Sequence, residues 1–103
     1  MELFEERRRF PRYGFQADVE IEFEGKILRS FLTDVSVGGI FIIAANPLWV
    51  GASFQIRILL GEPIHAACTV RRVVVGRGMG CTFDVMTPEN RERLDKLIAA
   101  LSV

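Results

Sequence analysis

Alternation of apolar and polar residues predicts β-strands through most of the chain. The clearest run extends from Phe15 to Glu24, where every second residue is apolar and the residues between them are polar or acidic. A period of two is typical of a strand with one buried and one solvated face. We therefore expect the carboxylates of this strand to form a solvent-exposed face rather than a metal site. These carboxylates are Asp18, Glu20, Glu22 and Glu24.

Turn-forming residues divide the region between Phe15 and Val85 into six predicted strands. The predicted turns and connections lie at 24–26, 34–39, 46–51, 61–63 and 76–78. Short antiparallel strands joined by tight turns favour a closed barrel, because closure removes exposed strand edges. In the connection at 46–51, we expect Trp49 to pack against the core or the terminal helix rather than to stack on a ligand.

The period of the pattern changes at Thr87, which is a favoured N-cap, and Pro88 is a favoured first helical residue. The apolar residues that follow have the spacing of one helical stripe. They are Leu94, Leu97, Ile98 and Leu101. We predict a helix from about Pro88 to Leu101 that covers the barrel. The predicted fold class is all-β, a six-stranded antiparallel (split) barrel with a C-terminal α-helix.

Residues 1–14 show no sustained periodicity, and Pro11 and Gly14 would stop any helix that began among them. We interpret this segment as a mobile N-terminal arm that precedes a barrel domain of residues 15–103. The arm is rich in arginine, with four arginines between positions 7 and 12.

Length and composition exclude several classes of protein. A chain of 103 residues, half of them hydrophobic, forms one domain whose core needs no metal or disulfide. Thirteen basic and thirteen acidic residues balance, which disfavours general nucleic-acid binding. No apolar run approaches the ~20 residues of a membrane-spanning helix, and the acidic N-terminus lacks a signal-peptide core. We therefore expect a cytoplasmic protein in which Cys68 and Cys81 are reduced and buried.

Candidate binding chemistry gathers at two places. Asp34 and Ser36 favour a turn, while Gly38 and Gly39 permit positive φ and let another group approach the backbone. The arginines of the arm can bind phosphate bidentately and stack on bases. Together the two clusters make a plausible site for an anionic, base-bearing ligand. Taken alone, the first cluster has an alternative interpretation as an ordinary hairpin turn. The alternative interpretation of the arginines is a solvated basic tail.

Catalysis finds little support in the sequence. The single histidine, His65, lies three residues before Cys68 in a strand pattern, so the two side chains point to opposite faces. They cannot form a nucleophile–base pair. Phosphate-binding loops of the P-loop type and the ligand spacing of zinc sites are also absent from the sequence. We predict no catalytic residue, no metal ligand and no cofactor.

The two clusters also match a known family. Arg8-x-x-x-Arg12 followed by Asp34-x-Ser36-x-x-Gly39 resembles the two signature motifs of PilZ domains, the bacterial receptors for cyclic diguanylate (c-di-GMP). The resemblance covers nearly the whole chain, including the barrel and the terminal helix. It implies that Arg8 and Arg12 hold phosphates and guanines. It also implies that Asp34 and Ser36 hydrogen-bond a guanine, and that Gly39 leaves room for the ligand.

Two further positions belong to this expected site. Arg7 resembles the residue found before the first motif in family members that bind an intercalated pair of ligand molecules, and Gly38 lies within the second motif. The resemblance implies a non-catalytic receptor that orders its arm on binding c-di-GMP and then acts on a protein partner, without binding DNA. The alternatives are a PilZ-like interaction module of pilus or motility assembly that binds no nucleotide, and a small-barrel nucleic-acid binder.

Overall fold

The computed structural model describes residues 10–103, which form six β-strands and one α-helix. This architecture confirms the predicted fold class, and the region between 15 and 85 contains no helix. The elements are β1 (Tyr13–Phe23), β2 (Lys26–Val35), β3 (Gly39–Ile43), β4 (Ser53–Ile58), β5 (Ile64–Val74), β6 (Gly78–Val85) and α1 (Pro88–Leu101).

The strands close into an antiparallel barrel in the order β1-β2-β3-β6-β5-β4. Spatial order departs from chain order because residues 44–52 carry the chain from β3 to β4, which pairs with β1 and β5. Every strand therefore has two neighbours, and none presents a free edge to solvent. The consequence for function is that any ligand must bind on the outer wall or at an end of the barrel.

Strand β1 begins two residues earlier than the sequence pattern predicts. Tyr13 pairs with Val35 and Gly14 with Asp34, but the register shifts before Ala17 pairs with Leu32. Side-chain exposure nevertheless alternates from Tyr13 onward, so the period of two continues across the shift. The first strand thus brings the end of the arginine-rich segment next to Asp34.

The core consists of the inward-facing residues of all six strands together with one residue of the helix. Its fully buried members include Leu32, Val35, Ile40, Ile42, Ile58, Cys68, Val70 and Leu94. Helix α1 begins as predicted, because Thr87 Oγ1 accepts a hydrogen bond from the Asn90 amide at 3.2 Å. Leu94 enters the core, and the rest of the apolar stripe packs against it, so the helix covers its own barrel. None of the helices in residues 10–103 has the length and apolar character needed to cross a membrane.

Both cysteines are free thiols buried in the barrel, as predicted. Burial raises the pKa of Cys81 to about 12 and also raises the pKa of Cys68, because a thiolate would lose its hydration. The two groups therefore stay protonated, which makes them poor nucleophiles.

The prediction for Trp49 is largely wrong. Its side chain is 61% exposed, and Leu48 packs against the core instead. The indole makes an edge-to-face contact with Phe23, with ring centroids 5.3 Å apart. It does not line the site described below.

We expect the emission maximum of Trp49 to lie close to that of an indole in water, since most of the ring is solvated. The protein contains one tryptophan, so its steady-state fluorescence reports this position alone. Acrylamide should quench the emission efficiently in the folded state. A blue-shifted maximum with weak quenching would mean that the indole is packed away.

Candidate functional site

The loop between β2 and β3, residues 36–38, is held in one conformation by Ser36. The Ser36 hydroxyl oxygen accepts the amide hydrogens of Gly38 and Gly39 at 3.2 and 3.1 Å, and the Ser36 amide donates to the Gly39 carbonyl at 2.8 Å. Ser36 is accordingly buried, with 2% of its surface exposed. A hydroxyl turn of this kind fixes the loop backbone without help from a ligand.

Two outside contacts tie the same loop to the rest of the molecule. The amide of Phe83 on β6 donates to the Gly38 carbonyl at 3.0 Å, and Arg91 of helix α1 donates to the Val37 carbonyl at 3.2 Å. These two hydrogen bonds connect the loop to the barrel wall and to the helix. The backbone of the loop therefore has a fixed conformation before any ligand binds.

Gly38 and Gly39 do not adopt the positive φ that glycine permits; within residues 10–103 the glycines with positive φ are Gly25, Gly51 and Gly76. Close approach explains both residues instead. A Cβ on Gly38 would lie 3.1 Å from the Phe10 ring, and a Cβ on Gly39 would lie 2.1 Å from the Cys81 carbonyl oxygen. Gly38 therefore accommodates an aromatic ring of the N-terminal segment, and Gly39 accommodates the backbone of β6.

Arg12 and Asp34 form an ion pair at the edge of this loop. Arg12 Nε and Nη2 lie 2.8 and 2.6 Å from Asp34 Oδ1. The side chains are 49% and 31% exposed, so the pair contributes only about 0–1 kcal/mol to stability. The geometry orients the guanidinium and leaves part of each group accessible to a ligand.

An open cavity of about 580 Å³ lies beside this pair, on the outer wall of β3, β5 and β6. Three arginines and no carboxylate line it, which makes its lining cationic. Its wall combines residues of the N-terminal segment, the β2–β3 loop and strands β5 and β6. The lining residues are Phe10, Arg12, Ser36, Gly38, Gly39, Arg71, Arg72, Gly80, Cys81 and Thr82.

Sequence reasoning missed Arg71 and Arg72, which β5 contributes to this cavity. Strict alternation from Val70 would turn Arg72 toward the core, but the register of β5 against β6 shifts between these two residues. Both arginines are therefore exposed, and Val73 packs against the core. The signal in the sequence was two adjacent arginines interrupting an alternating strand, which is typical of a bulge.

The two arginines are held differently. Arg71 Nε donates to Thr82 Oγ1 at 3.0 Å, and its Nη2 lies 3.9 Å from Asp84 Oδ1. The Arg72 guanidinium lies 5.5 Å from the centre of the Phe41 ring, within cation–π range. Gly80 opposes Arg72 across the strands, and a Cβ there would meet the Arg72 side chain at 3.4 Å. The wall thus presents one cation held by a hydrogen bond to Thr82 and one cation placed over an aromatic ring.

The structure brings together most of the predicted site. Arg12 pairs with Asp34, and Ser36, Gly38 and Gly39 line the same cavity. Arg7 and Arg8 lie outside the described residues. Within residues 10–103, no cluster of histidine, cysteine, aspartate or glutamate has the form of a metal site. His65 is exposed on β5 and does not line the cavity.

Comparison with protein families matches residues 6–100 of the chain to the PilZ domain. This match extends from the arginine-rich segment almost to the end of helix α1. A parallel search of curated proteins found no significant match.

Solved structures provide a second comparison. The inhibitor of motility MotI/DgrA from Bacillus subtilis is 25% identical with a TM-score of 0.75, over 88% of this chain and 48% of that one. The PilZ domain of YcgR from Escherichia coli with c-di-GMP is 21% identical with a TM-score of 0.78, over 93% and 92%. The MrkH–c-di-GMP complex from K. pneumonia is 20% identical with a TM-score of 0.78, over 93% and 52%. The chain thus spans about half the length of MotI/DgrA and MrkH.

Proposed function

The chain belongs to the PilZ domain family, and on that premise we propose that it is a receptor for c-di-GMP. The observation that supports this most strongly is the cationic cavity, which joins Arg12 and the Asp34–Gly39 loop to two further arginines. Two of the similar structures, those of YcgR and MrkH, were solved with c-di-GMP. The chemistry of this ligand fits the lining of the cavity.

The phosphates of c-di-GMP require cations, and the cavity supplies Arg12, Arg71 and Arg72. Guanidinium groups bind phosphate oxygens through paired N–H donors and also stack on planar bases. Arg71 is anchored by Thr82, so we assign it to a phosphate. The Arg72 guanidinium lies over the Phe41 ring, on the aromatic side of the wall, so we assign it to the face of a guanine. The motif residues Arg7 and Arg8 are proposed as additional phosphate ligands, with Arg7 favouring a second, intercalated ligand molecule.

The guanines of c-di-GMP present N–H donors that need a directed acceptor. Asp34 meets this need, because Arg12 contacts it through Oδ1 and an ionised carboxylate has a second oxygen that can also accept hydrogen bonds. One carboxylate can therefore orient a cation and accept from a guanine at the same time. We propose that Ser36 acts mainly by holding the backbone of the loop, since its hydroxyl already has three backbone contacts.

The receptor acts by binding rather than by chemistry. The lining contains one thiol, Cys81, and its raised pKa keeps it protonated and unreactive. Phe10 and Arg12 already contact the barrel through Gly38 and Asp34. We propose that ligand binding extends this docking along the arginine-rich segment and so changes the surface offered to a protein partner. The cytoplasmic location expected from the sequence stays a prediction.

A calorimetric titration with c-di-GMP, with cyclic diadenylate and GTP as controls, tests the proposal. Cyclic diadenylate keeps the phosphates but lacks the guanine donors that Asp34 accepts, and GTP keeps the guanine without the cyclic backbone. We expect saturable binding of c-di-GMP alone. Equal binding of both cyclic dinucleotides would contradict guanine recognition. No binding of c-di-GMP would favour the interaction module without nucleotide.

A further inference from the structure

A second hollow, of about 490 Å³, is lined by residues of β4, β5 and β6 and by the end of β1 with the turn that follows it. Its floor is apolar, formed by Phe54, Ala67 and Cys68, and its sides include Phe23 and Val85. Val85 is 70% exposed although it borders an apolar floor. Trp49 does not line the hollow itself, but its exposed ring contacts Phe23, which does. An exposed aromatic and aliphatic border of this kind is typical of a protein-binding surface.

The charge of this hollow is opposite to that of the ligand cavity. Its lining includes three carboxylates and no lysine or arginine: Glu22, Glu24 and Asp84. Within residues 10–103, neither Glu22 nor Glu24 forms an ion pair, whereas Glu20 on the same strand pairs with two arginines. The hollow therefore combines an apolar floor with uncompensated negative charge at its rim. A cationic side chain with an aliphatic stem complements both features.

The position of Glu24 adds to this argument. Glu24 and Gly25 form the two-residue turn between β1 and β2, with φ of 50° and 78°. Asparagine, aspartate and glycine are the residues usually found at the left-handed first position of such a turn. Glu24 occupies this position despite the conformational cost, and it lies at the rim of the hollow.

We propose that this hollow docks an extended segment of a partner protein that carries arginine or lysine next to aliphatic residues. The apolar residues of the segment cover Trp49 and Val85, and its cations pair with Glu22 and Glu24. Docking therefore buries the exposed border of the hollow and neutralises its charge. Asp84 is the third carboxylate of the site and the one that is already engaged elsewhere.

Asp84 connects this hollow directly to the ligand cavity. Its carboxylate accepts a hydrogen bond from Thr69 and one from Thr82 at 3.4 Å, and it lies 3.9 Å from Arg71 Nη2. Arg71 and Thr82 line the cavity assigned to c-di-GMP, whereas Asp84 lines the hollow. An anion that binds Arg71 neutralises the guanidinium beside Asp84. The negative charge of Asp84 is then less compensated and attracts the cationic partner more strongly. This coupling, unlike the docking surface itself, rests on the proposed function.

Fluorescence of Trp49 provides the test of docking, because the indole borders the hollow and is the one tryptophan in the chain. The probe is the pentapeptide acetyl-Arg-Leu-Val-Leu-Arg-amide, and acetyl-Glu-Leu-Val-Leu-Glu-amide is its charge-reversed control. We expect a saturable blue shift with the basic peptide alone. The double variant Glu22→Gln, Glu24→Gln should weaken binding about tenfold, because two charge-assisted contacts are lost. The matched variant Glu62→Gln, Glu92→Gln changes two exposed carboxylates elsewhere and should bind as the wild type does.

Absence of a saturable shift, or equal binding by the Glu22→Gln, Glu24→Gln variant, would overturn the docking surface. Saturating c-di-GMP should tighten peptide binding about fivefold in the wild type and leave it unchanged in Asp84→Asn. Binding of c-di-GMP without any effect on the peptide would overturn the coupling. Peptide binding without c-di-GMP binding would support the docking surface while the proposed receptor function fails. The two failures are therefore distinguishable.

Discussion

Substitution of Gly39 by alanine is expected to destabilise the protein by about 3 kcal/mol or more, because the added methyl group collides with backbone. The new Cβ would lie 2.1 Å from the Cys81 carbonyl oxygen and 3.3 Å from the Thr82 Cα. Gly39 pairs with Thr82 in the barrel, so relief requires strands β3 and β6 to separate. Urea denaturation monitored by circular dichroism measures the loss.

Gly14→Ala is the matched control for this substitution. Gly14 also lies in a strand, but no heavy atom lies within 4 Å of a Cβ built on it. Alanine there should be neutral or slightly stabilising, because it reduces the entropy of the unfolded chain. A Gly39→Ala protein as stable as Gly14→Ala would mean that Gly39 serves the ligand alone and that the close approach of β6 is not a constraint.

Removal of either partner of the Arg12–Asp34 pair is expected to weaken c-di-GMP binding about ten- to hundredfold, since each loses charge-assisted hydrogen bonds of ~1.5–3 kcal/mol. Arg12→Ala removes a proposed phosphate ligand. Asp34→Asn keeps the shape of the side chain and removes the charge that pairs with Arg12 and, in the proposed site, accepts from guanine. Calorimetry gives both affinities, and thermal denaturation should show that neither variant loses more than about 1 kcal/mol of stability.

Arg57→Ala is the matched control, because Arg57 is half exposed like Arg12 and also pairs with a carboxylate, Glu20, on the barrel wall. It lines neither the cavity nor the hollow. Its affinity for c-di-GMP should equal that of the wild type. An equal loss in Arg57→Ala and Arg12→Ala would indicate general electrostatic attraction rather than a defined site.

The barrel and the helix could be predicted from the sequence because burial in this fold is periodic. The alternation in β1 and β4, and the stripe from Leu94 to Leu101, each follow from one element packing one face on a common core. The second motif was equally visible, because Asp34, Ser36 and two glycines are concentrated in six positions. These features are local, and the sequence displays them directly.

The features that the sequence did not predict depend on non-local contacts. Arg71 and Arg72 reach the cavity through a register shift that only the pairing of β5 with β6 reveals. The requirement for Gly39 comes from the Cys81 carbonyl, 42 positions away in the chain. Trp49 is exposed, and the neighbouring Leu48 packs against the core instead. No pattern within one segment contains this information.

Hydrogen exchange with and without c-di-GMP tests the central claim most directly, because it locates the ligand on the chain. We expect protection to rise around Arg71 and Arg72, in the loop at 34–39 and in residues 5–14, because Phe10, Arg12 and the loop line the cavity together with these two arginines and the arginine-rich segment is proposed to dock on binding. The wall formed by β1 and β4 should exchange as before. Protection confined to that wall, or none in the three segments under saturating ligand, would contradict the assignment of the site.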